Sequence, residues 1–339
     1  MPGFQRASRS GSNSLQRGLT RSAGNRRPFL SGHPASGPRS LGLSSWSFCD
    51  TTLLMVRPPA VAGLFYPADP EELAREVGAF CATGKKKSRS LACVVPHAGY
   101  VYSGHVAGAV YSQLEIPQCC MLLGPRHFPQ GQPLAILTEG AFATPFGDAV
   151  IDEALATELA RACPLLREDS IAHAREHSLE VQLPFLQRLR NDLRFVPVVL
   201  GTDRYAAIED LGHAVAQVVK ERTEPVLVIA SSDMNHYESD AITRVKDHKA
   251  IARVLELDPR GLYDTVRNEG ITMCGYAATV AMLVAARDLG AADATLIRYG
   301  TSADVNGDFD RVVGYAGIVV RSLKVIDQVV YVDRAETCG

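Results

Sequence analysis

Short apolar runs alternate with longer amphipathic stretches along most of this chain. Residues 91–95, 119–123, 195–200 and 226–230 have the length and aliphatic content of buried strands. Several stretches between and after them, such as residues 240–257, have the length of helices. Because strands and helices alternate nearly throughout, the pattern predicts a single α/β domain with helices on both faces of a mostly parallel or mixed sheet.

Local signals place several element boundaries. Asp69 followed by Pro70 and two glutamates predicts a helix start, with Asp69 as the N-cap. Residues 144–148 (TPFGD) predict a turn. His173 and His177 stand four residues apart, and helical spacing would put both on one face. We take His173 as structural.

The two ends of the chain differ from its middle. Residues 1–54 are rich in Ser, Gly, Arg and Pro and contain one acidic residue, Asp50. Such a segment buries too little apolar surface to offset its ordering entropy, so we expect a disordered extension. It is either a transit-like leader or, as we favour, an upstream extension with Met55 as the natural start. We expect the domain over residues 55–324 and a tail over residues 325–339.

Composition narrows the function classes. Hydrophobic residues make up 46% of the chain, which is ordinary for a protein with a sizeable core. The formal net charge is -2, and without the seven arginines and one aspartate of residues 1–54 it falls to -8, so nucleic acid is not indicated. No apolar run approaches the roughly 20 residues that span a bilayer. The eight cysteines have no disulfide-like spacing, which favours a reduced, cytoplasmic location.

Polar residues with reactive side chains follow three of the predicted strands. His97 follows the first and His127 the second, and Asp233 with His236 follows a third. Cys274 precedes a predicted helix. Carboxyl ends of strands in an α/β sheet meet in one crevice, so these residues are expected to lie together. Two imidazoles and a thiolate would make a metal site that leaves room for water or substrate.

Plainer interpretations and a competing chemistry remain open. His97 could simply hydrogen-bond in a turn, Asp233 could cap a helix, and Cys274 could be an inert core residue. Cys274 could also act as a nucleophile, with His97 or His236 as its base. The chain has no GxSxG elbow, P-loop or GxGxxG.

Taken together, the motifs of residues 55–320 resemble those of the Memo family, which includes the B-like proteins of AmmeMemoRadiSam systems. The stretches that carry the resemblance are RPPAVAGLFYP, VVPHAGYVYSG, GPRH, TPFGDAVID, EHSLEVQLPFL, SSDMNHY, GITMCGYAA and YGTSADVNGDFDRVVGYAGI.

The resemblance implies a fold similar to class III extradiol dioxygenases, in which two histidines and a glutamate hold Fe(II). By motif, His97 and His127 match the metal-site histidines and Cys274 matches the family's cysteine. Cys274 stands where a carboxylate would complete the facial triad. Because a thiolate is softer and more easily oxidised, the implied metal is Fe(II) or copper, and ring cleavage is disfavoured.

The remaining site residues receive roles on the same basis. His236 is expected to be a general acid/base that Asp233 orients. His177 lies in the EHSLEVQLPFL motif and is expected beside the metal site. The leading hypothesis is a metal-binding protein with a redox or oxygenase-like activity, acting with a radical-SAM partner system. The alternative is a non-enzymatic module that binds a peptide or protein in a vestigial pocket, as animal family members are linked to phosphotyrosine peptides.

Overall fold

The computed structural model describes residues 55–82, 84 and 86–322. The predicted disorder of residues 1–54 and the predicted tail over residues 325–339 lie outside the described residues. The strands are β1 Val56–Arg57, β2 Ala92–Val95, β3 Cys119–Pro125, β4 Leu134–Ile136, β5 Ala141–Thr144, β6 Gly147–Ile151, β7 Arg167–Glu168, β8 Arg194–Leu200, β9 Val226–Ser231, β10 His236–Glu238, β11 Ala291–Thr301 and β12 Val312–Ser322.

The helices follow the predicted alternation. They are α1 Pro70–Phe80, α2 Tyr100–Tyr111, α3 Glu153–Ala162, α4 Ser170–Ala174, α5 Leu183–Leu189, α6 Tyr205–Glu221, α7 Asp240–Leu255, α8 Pro259–Asn268, α9 Tyr276–Asp288 and α10 Ala303–Asn306, with a 3-10 turn at Glu180–Gln182 before α5. Asp69 caps α1 as predicted, because its carboxylate accepts a hydrogen bond from the backbone N–H of Glu72.

The centre of the sheet is parallel, in the order β6-β8-β3-β9-β2. Strand β12 then pairs antiparallel with β2, and β11 pairs antiparallel with β12, so the sheet is mixed. Every residue of β2, β3 and β9 is buried. Strands buried on both faces read as continuous apolar runs, which is the pattern in the sequence.

Two groups of helices cover the sheet. Helices α1, α2 and α5 pack against one another, and α2 also packs on β2, β11 and β12. Helices α3, α6 and α9 pack together in a second group, and α9 lies on β3, β9 and β2. The predicted α/β class is confirmed. Within the described residues, no helix is both long and apolar enough to cross a membrane.

Two segments differ from their sequence-based interpretation. The predicted turn at residues 144–148 is the tip of a hairpin in which Thr144 pairs with Gly147, and its flanking strands β5 and β6 were not predicted. These strands are short, and they are held by pairing with β1 and β8 rather than by their own pattern. The helical spacing of His173 and His177 does not produce a shared helix face, because α4 ends at Ala174.

Two glycines let helix α2 approach α1 closely. A Cβ added to Gly108 would lie 2.5 Å from the backbone carbonyl oxygen of Phe80, and one added to Gly104 would lie 2.5 Å from the Phe80 ring. A backbone carbonyl cannot move away from an added Cβ as the end of a flexible side chain can. The packing of these helices therefore requires a residue without a side chain at position 108.

A pair of glycine substitutions tests this packing. Gly108→Ala is expected to lower the free energy of unfolding by about 1–3 kcal/mol through overpacking. Gly78→Ala in α1 is the control, because a Cβ there meets nothing within 4 Å. It should raise the free energy of unfolding by about 0.5–1 kcal/mol, the usual gain on replacing a mid-helix glycine. Urea denaturation measures both, and a Gly108→Ala variant as stable as the wild type would contradict the packing argument.

Candidate functional site

The carboxyl ends of β2, β3 and β9 open into one pocket of about 840 Å³. His97, His127, Asp233 and His236 all line this pocket, together with Cys274 from the loop before α9. The sequence-based expectation that these residues lie together is therefore met by their positions. The topological reason is that parallel strands present their carboxyl ends at the same edge of the sheet.

The ring of His97 is buried and held in one orientation. Its Nδ1 lies 2.9 Å from Ser231 Oγ, at the end of the neighbouring strand. The Ser231 hydroxyl donates its own proton to the carbonyl of Ser178, at 2.6 Å. Ser231 must therefore accept from His97, which places the ring proton on Nδ1 and leaves the Nε2 lone pair free. Burial, followed by the neighbouring His127, lowers the pKa of His97 well below its usual range.

Cys274 lies directly against the free nitrogen of His97. Its Sγ is 3.2 Å from His97 Nε2. The next residue, Gly275, donates its backbone N–H to Ser232 Oγ at 3.0 Å. A Cβ on Gly275 would collide with the Ser231 carbonyl and the Ser232 side chain. This close approach of two backbones sets the position of the thiol.

The thiol and the imidazole form a neutral pair. Burial, and then the charge of Asp233, raises the pKa of the Cys274 thiol well above its ordinary value. The pKa of His97 is shifted in the opposite direction. A nucleophilic cysteine needs the thiolate, which is favoured by a cationic neighbour. The electrostatics of the protein alone therefore do not favour the nucleophilic interpretation of Cys274.

The second histidine, His127, is held by a buried carboxylate. Glu176 Oε1 lies 2.9 Å from His127 Nδ1, and Oε2 accepts the His127 backbone N–H at 2.6 Å. Glu176 also accepts the backbone N–H groups of His177 and Ser178, at 2.9 Å each. Those bonds account for the chain leaving the helical path after α4. The carboxylate also fixes the His127 proton on Nδ1, so that Nε2 is the free nitrogen.

Glu176 and His127 shift each other's pKa. Burial alone would raise the pKa of Glu176, but its hydrogen bonds and the charge of His127 outweigh burial and lower the pKa to about 2. Burial lowers the pKa of His127, and Glu176 outweighs that effect, so the pKa of His127 is raised. Glu176 is thus an ionised carboxylate of which only 1% of the side chain is exposed.

His177 joins the two predicted metal-site histidines. Its ring stacks on His127 with 4.6 Å between ring centroids, and its centroid lies 5.7 Å from that of His97. Within the described part of the chain, two triads offer ligand atoms within 4.8 Å of one another: His97, His127 and His177, and His97, Asp233 and Cys274. His97 is common to both. Of the three metal ligands predicted from the sequence, His97 belongs to both triads, His127 to the first and Cys274 to the second.

Asp233 and His236 have separate partners. Asp233 Oδ1 accepts the backbone N–H of His97 at 2.8 Å, which ties the loop after β9 to the loop after β2. His236 is held by Thr272, whose carbonyl lies 2.9 Å from the ring Nδ1 and whose hydroxyl accepts the His236 N–H at 2.7 Å. The predicted orientation of His236 by Asp233 stays a prediction. Burial raises the pKa of Asp233.

Three residues that shape the site were not identified from the sequence. Glu176 and Ser231 fix the two histidine rings, and Thr272 holds His236. Glu176 immediately precedes His177 in the EHSLEVQLPFL stretch, which was the available signal. Ser231 and Thr272 likewise lie in the SSDMNHY and GITMCGYAA stretches, but the sequence does not show which histidine each of them contacts.

Comparisons with known proteins agree over nearly the whole described region. A family model described as Memo-like protein matches residues 57–319. A MEMO1 family protein of Methanopyrus kandleri is 41% identical over 281 residues, covering 79% of this chain and 99% of that protein. A MEMO1 family protein of Aquifex aeolicus is 40% identical over 268 residues, covering 78% of this chain and 99% of that protein.

A solved structure is similar in fold. It is that of an uncharacterized protein from Escherichia coli K12, with a TM-score of 0.50 and 14% sequence identity. The match covers 68% of this chain and 100% of that chain. At this identity the likeness concerns the fold alone.

Replacement of Glu176 tests its role as the support of His127. Glu176→Gln is expected to lower the free energy of unfolding by about 2–4 kcal/mol, because an amide offers one acceptor oxygen and turns N–H groups toward the same donors. The pKa of Glu176 is lowered in the folded protein, so its stabilisation is present above about pH 4.5 and is lost as the pH falls toward about 2. The variant should therefore lose less stability than the wild type on acidification.

The measurement is urea denaturation over a series of pH values, with the exposed Glu139→Gln as control. Long-range 1H–15N NMR of the histidine rings supplies a second readout. The Nδ1 proton of His127 should be fixed in the wild type and redistributed in Glu176→Gln. An unchanged His127 ring would refute the assigned role.

Proposed function

Because the chain belongs to the Memo-like protein family, we propose that it is a metal-binding protein whose site takes a non-haem iron or copper ion. One observation carries the proposal: Ser231 and Glu176 hold the Nδ1 atoms of His97 and His127, so that both Nε2 atoms can act as ligands, and that of His97 faces Cys274 Sγ. Protein metal sites use this arrangement, in which a second group holds the far nitrogen of each ligating histidine.

The donor set fits a soft or borderline metal. His97 Nε2 lies 3.2 Å from Cys274 Sγ, so an imidazole and a thiol already face each other. Thiolate and imidazole together suit copper and iron better than magnesium or calcium. The raised pKa of the Cys274 thiol means that a metal ion would have to displace its proton, so binding is expected to release a proton and to weaken at low pH. His177 and Asp233 stand next to these ligands.

The proposed activity is of the redox or oxygenase-like kind. A bound iron or copper ion would supply one-electron chemistry. The chain's own residues would bind the substrate in the 840 Å³ pocket, with half-buried His236 available to give or take a proton. Thr272 fixes the His236 ring for that role. The radical-SAM partner expected from the resemblance stays a prediction.

Metal content tests the proposal. The full chain, purified without oxygen and reconstituted with iron or copper, should carry about one equivalent of metal by elemental analysis. His97→Ala combined with Cys274→Ala should reduce this to less than about a tenth. His213→Ala with Cys81→Ala is the matched control, since both residues lie outside the site. Equal metal content in the two double variants, or none in the wild type, would overturn the proposal.

A second candidate function is peptide binding. Three large side chains at the pocket are strongly exposed: Leu64 by 80%, Val101 by 63% and Tyr237 by 65%. Apolar groups exposed beside a pocket are typical of surfaces that receive a partner. Such a module would not need the thiol of Cys274.

Paired variants separate the two functions. A peptide-binding module should hold a phosphotyrosine peptide equally well before and after Cys274→Ser, and should lose at least about tenfold in affinity on Leu64→Asp. Fluorescence anisotropy with the labelled peptide measures both. A metal site predicts the opposite pattern, in which Cys274→Ser removes the metal and Leu64→Asp leaves it bound.

A further inference from the structure

A buried carboxylate outside the pocket is connected to His236 through two other residues. Asp247 lies in helix α7 and is fully buried. It does not line the pocket that holds the candidate metal ligands. A carboxylate is costly to bury, so its contacts indicate what it contributes to the protein.

Helix α7 holds Asn235 by its backbone and by its side chain. Asp247 Oδ1 accepts the backbone N–H of Asn235 at 2.8 Å. Thr243, one helical turn before Asp247, lies on the same face of α7 and is 3.2 Å from the side-chain nitrogen of Asn235. That nitrogen also donates to Glu238 at 2.7 Å, and Glu238 is paired with Lys246. The position of Asn235 is therefore set by α7.

Asn235 in turn holds Thr272. Its side-chain Oδ1 accepts the backbone N–H and the hydroxyl of Thr272, at 3.0 Å each. The Thr272 hydroxyl thus gives its proton to the nearer of its two acceptors, and its oxygen accepts the His236 N–H at 2.7 Å. The Thr272 carbonyl lies 2.9 Å from His236 Nδ1. Three successive contacts therefore connect Asp247 to His236.

The last of these contacts determines which nitrogen of a neutral His236 ring carries the proton. A carbonyl oxygen can only accept a hydrogen bond, so the Thr272 carbonyl requires the proton on Nδ1. Nε2 then has the free lone pair and is the nitrogen that can take a proton from a substrate. The contacts therefore prepare His236 to act as a base.

The surroundings of Asp247 leave space for its carboxylate but stabilise its charge poorly. Tyr299 in β11 donates its hydroxyl to Oδ2 at 2.8 Å, and a Cβ on Gly314 in β12 would collide with the same oxygen. Burial raises the pKa of Asp247 to about 7, against the opposing effects of its hydrogen bonds and of His248 and Arg244 in α7. Above that pH the ionised carboxylate therefore makes the folded protein less stable than a neutral group would.

We propose that Asp247 is a positioning residue for His236, which it holds through Asn235 and Thr272 as a base with Nε2 free. The proposal rests on the proposed function only for the task of His236, because neither metal nor substrate takes part in holding the ring. It also accounts for a buried carboxylate whose charge lowers the stability of the fold.

NMR of the histidine rings in the full chain tests the proposal at about pH 9, where imidazoles are neutral. In the wild type the His236 proton should be confined to Nδ1. Asp247→Ala removes the acceptor of the Asn235 N–H, and the ratio of Nδ1–H to Nε2–H in His236 should fall about tenfold, as expected for the loss of one hydrogen bond. Asp247→Asn should restore the wild-type ratio, because its amide oxygen still accepts that N–H.

Tyr299→Phe is the matched control. It removes the partner of Asp247 Oδ2 but leaves Oδ1 bonded to Asn235, so the His236 ring should stay as in the wild type. An unchanged His236 ring in Asp247→Ala, or an equal change in Tyr299→Phe, would overturn the proposal.

Metal content separates this proposal from the proposed function. Asp247→Ala should bind as much iron or copper as the wild type, because Asp247 contacts none of the three proposed ligands. Loss of metal together with the His236 tautomer would indicate general disruption of the site and would count against a specific role. A wild type without metal would refute the proposed function and leave the result for the His236 ring standing.

Should Asp247→Ala not fold, the pH dependence of the wild type and of Asp247→Asn gives the answer. The amide shift of Thr272, which is bonded to Asn235, should change with a midpoint near pH 7, and this step should be absent from Asp247→Asn. Because the pKa of Asp247 is raised in the folded protein, the wild type should also lose stability relative to Asp247→Asn as the pH rises from about 4 to about 7. A Thr272 amide that titrates identically in both proteins would disprove the connection.

Discussion

The site depends on one buried carboxylate. Glu176 accepts four N–H groups, two from His127 and one each from His177 and Ser178, and so joins the loop after β3 to the segment between α4 and α5. An ionised carboxylate without these donors would be very costly to bury. Ser178, placed by the same carboxylate, accepts the Ser231 hydroxyl and so fixes the tautomer of His97. Glu176 therefore orients both histidine rings, that of His127 directly and that of His97 through Ser178 and Ser231.

Burial shifts the groups at the centre of the site toward their neutral forms. His97 and Cys274 are shifted toward their neutral forms, and Asp233 is shifted in the same direction by burial. Glu176 has its pKa lowered and stays ionised, and its charge and hydrogen bond raise the pKa of His127. His97 and Cys274 thus present a nitrogen and a sulfur donor in their neutral forms. This pair of donors suits a ligand that brings its own positive charge, which is the property of a metal ion.

The fold and the location of the site could be predicted because both follow from the local pattern of apolar and polar residues along the sequence. Buried parallel strands read as apolar runs, and the position of His97 or His127 just after such a run follows from topology. The supports of these rings could not be predicted in the same way. Ser231 contacts His97, which is 134 positions away in the sequence, and Glu176 contacts His127, which is 49 positions away. The first contact exists only because β2 pairs with β9 in the folded sheet. The break after α4 is local instead: the Glu176 carboxylate accepts the backbone N–H groups of His177 and Ser178, one and two positions further on, which would otherwise be available to helical carbonyls.

The pairing of β12 with β2 has a consequence for synthesis. Strand β2, which His97 follows by two residues, lies between β9 and β12, the last strand of the described chain. Until residues 312–322 leave the ribosome, β2 exposes an unpaired, wholly apolar edge. Such edges recruit other chains. An edge of β2 that other chains can pair with therefore persists until β12 has been made, and protection of the nascent chain up to that stage should raise its yield.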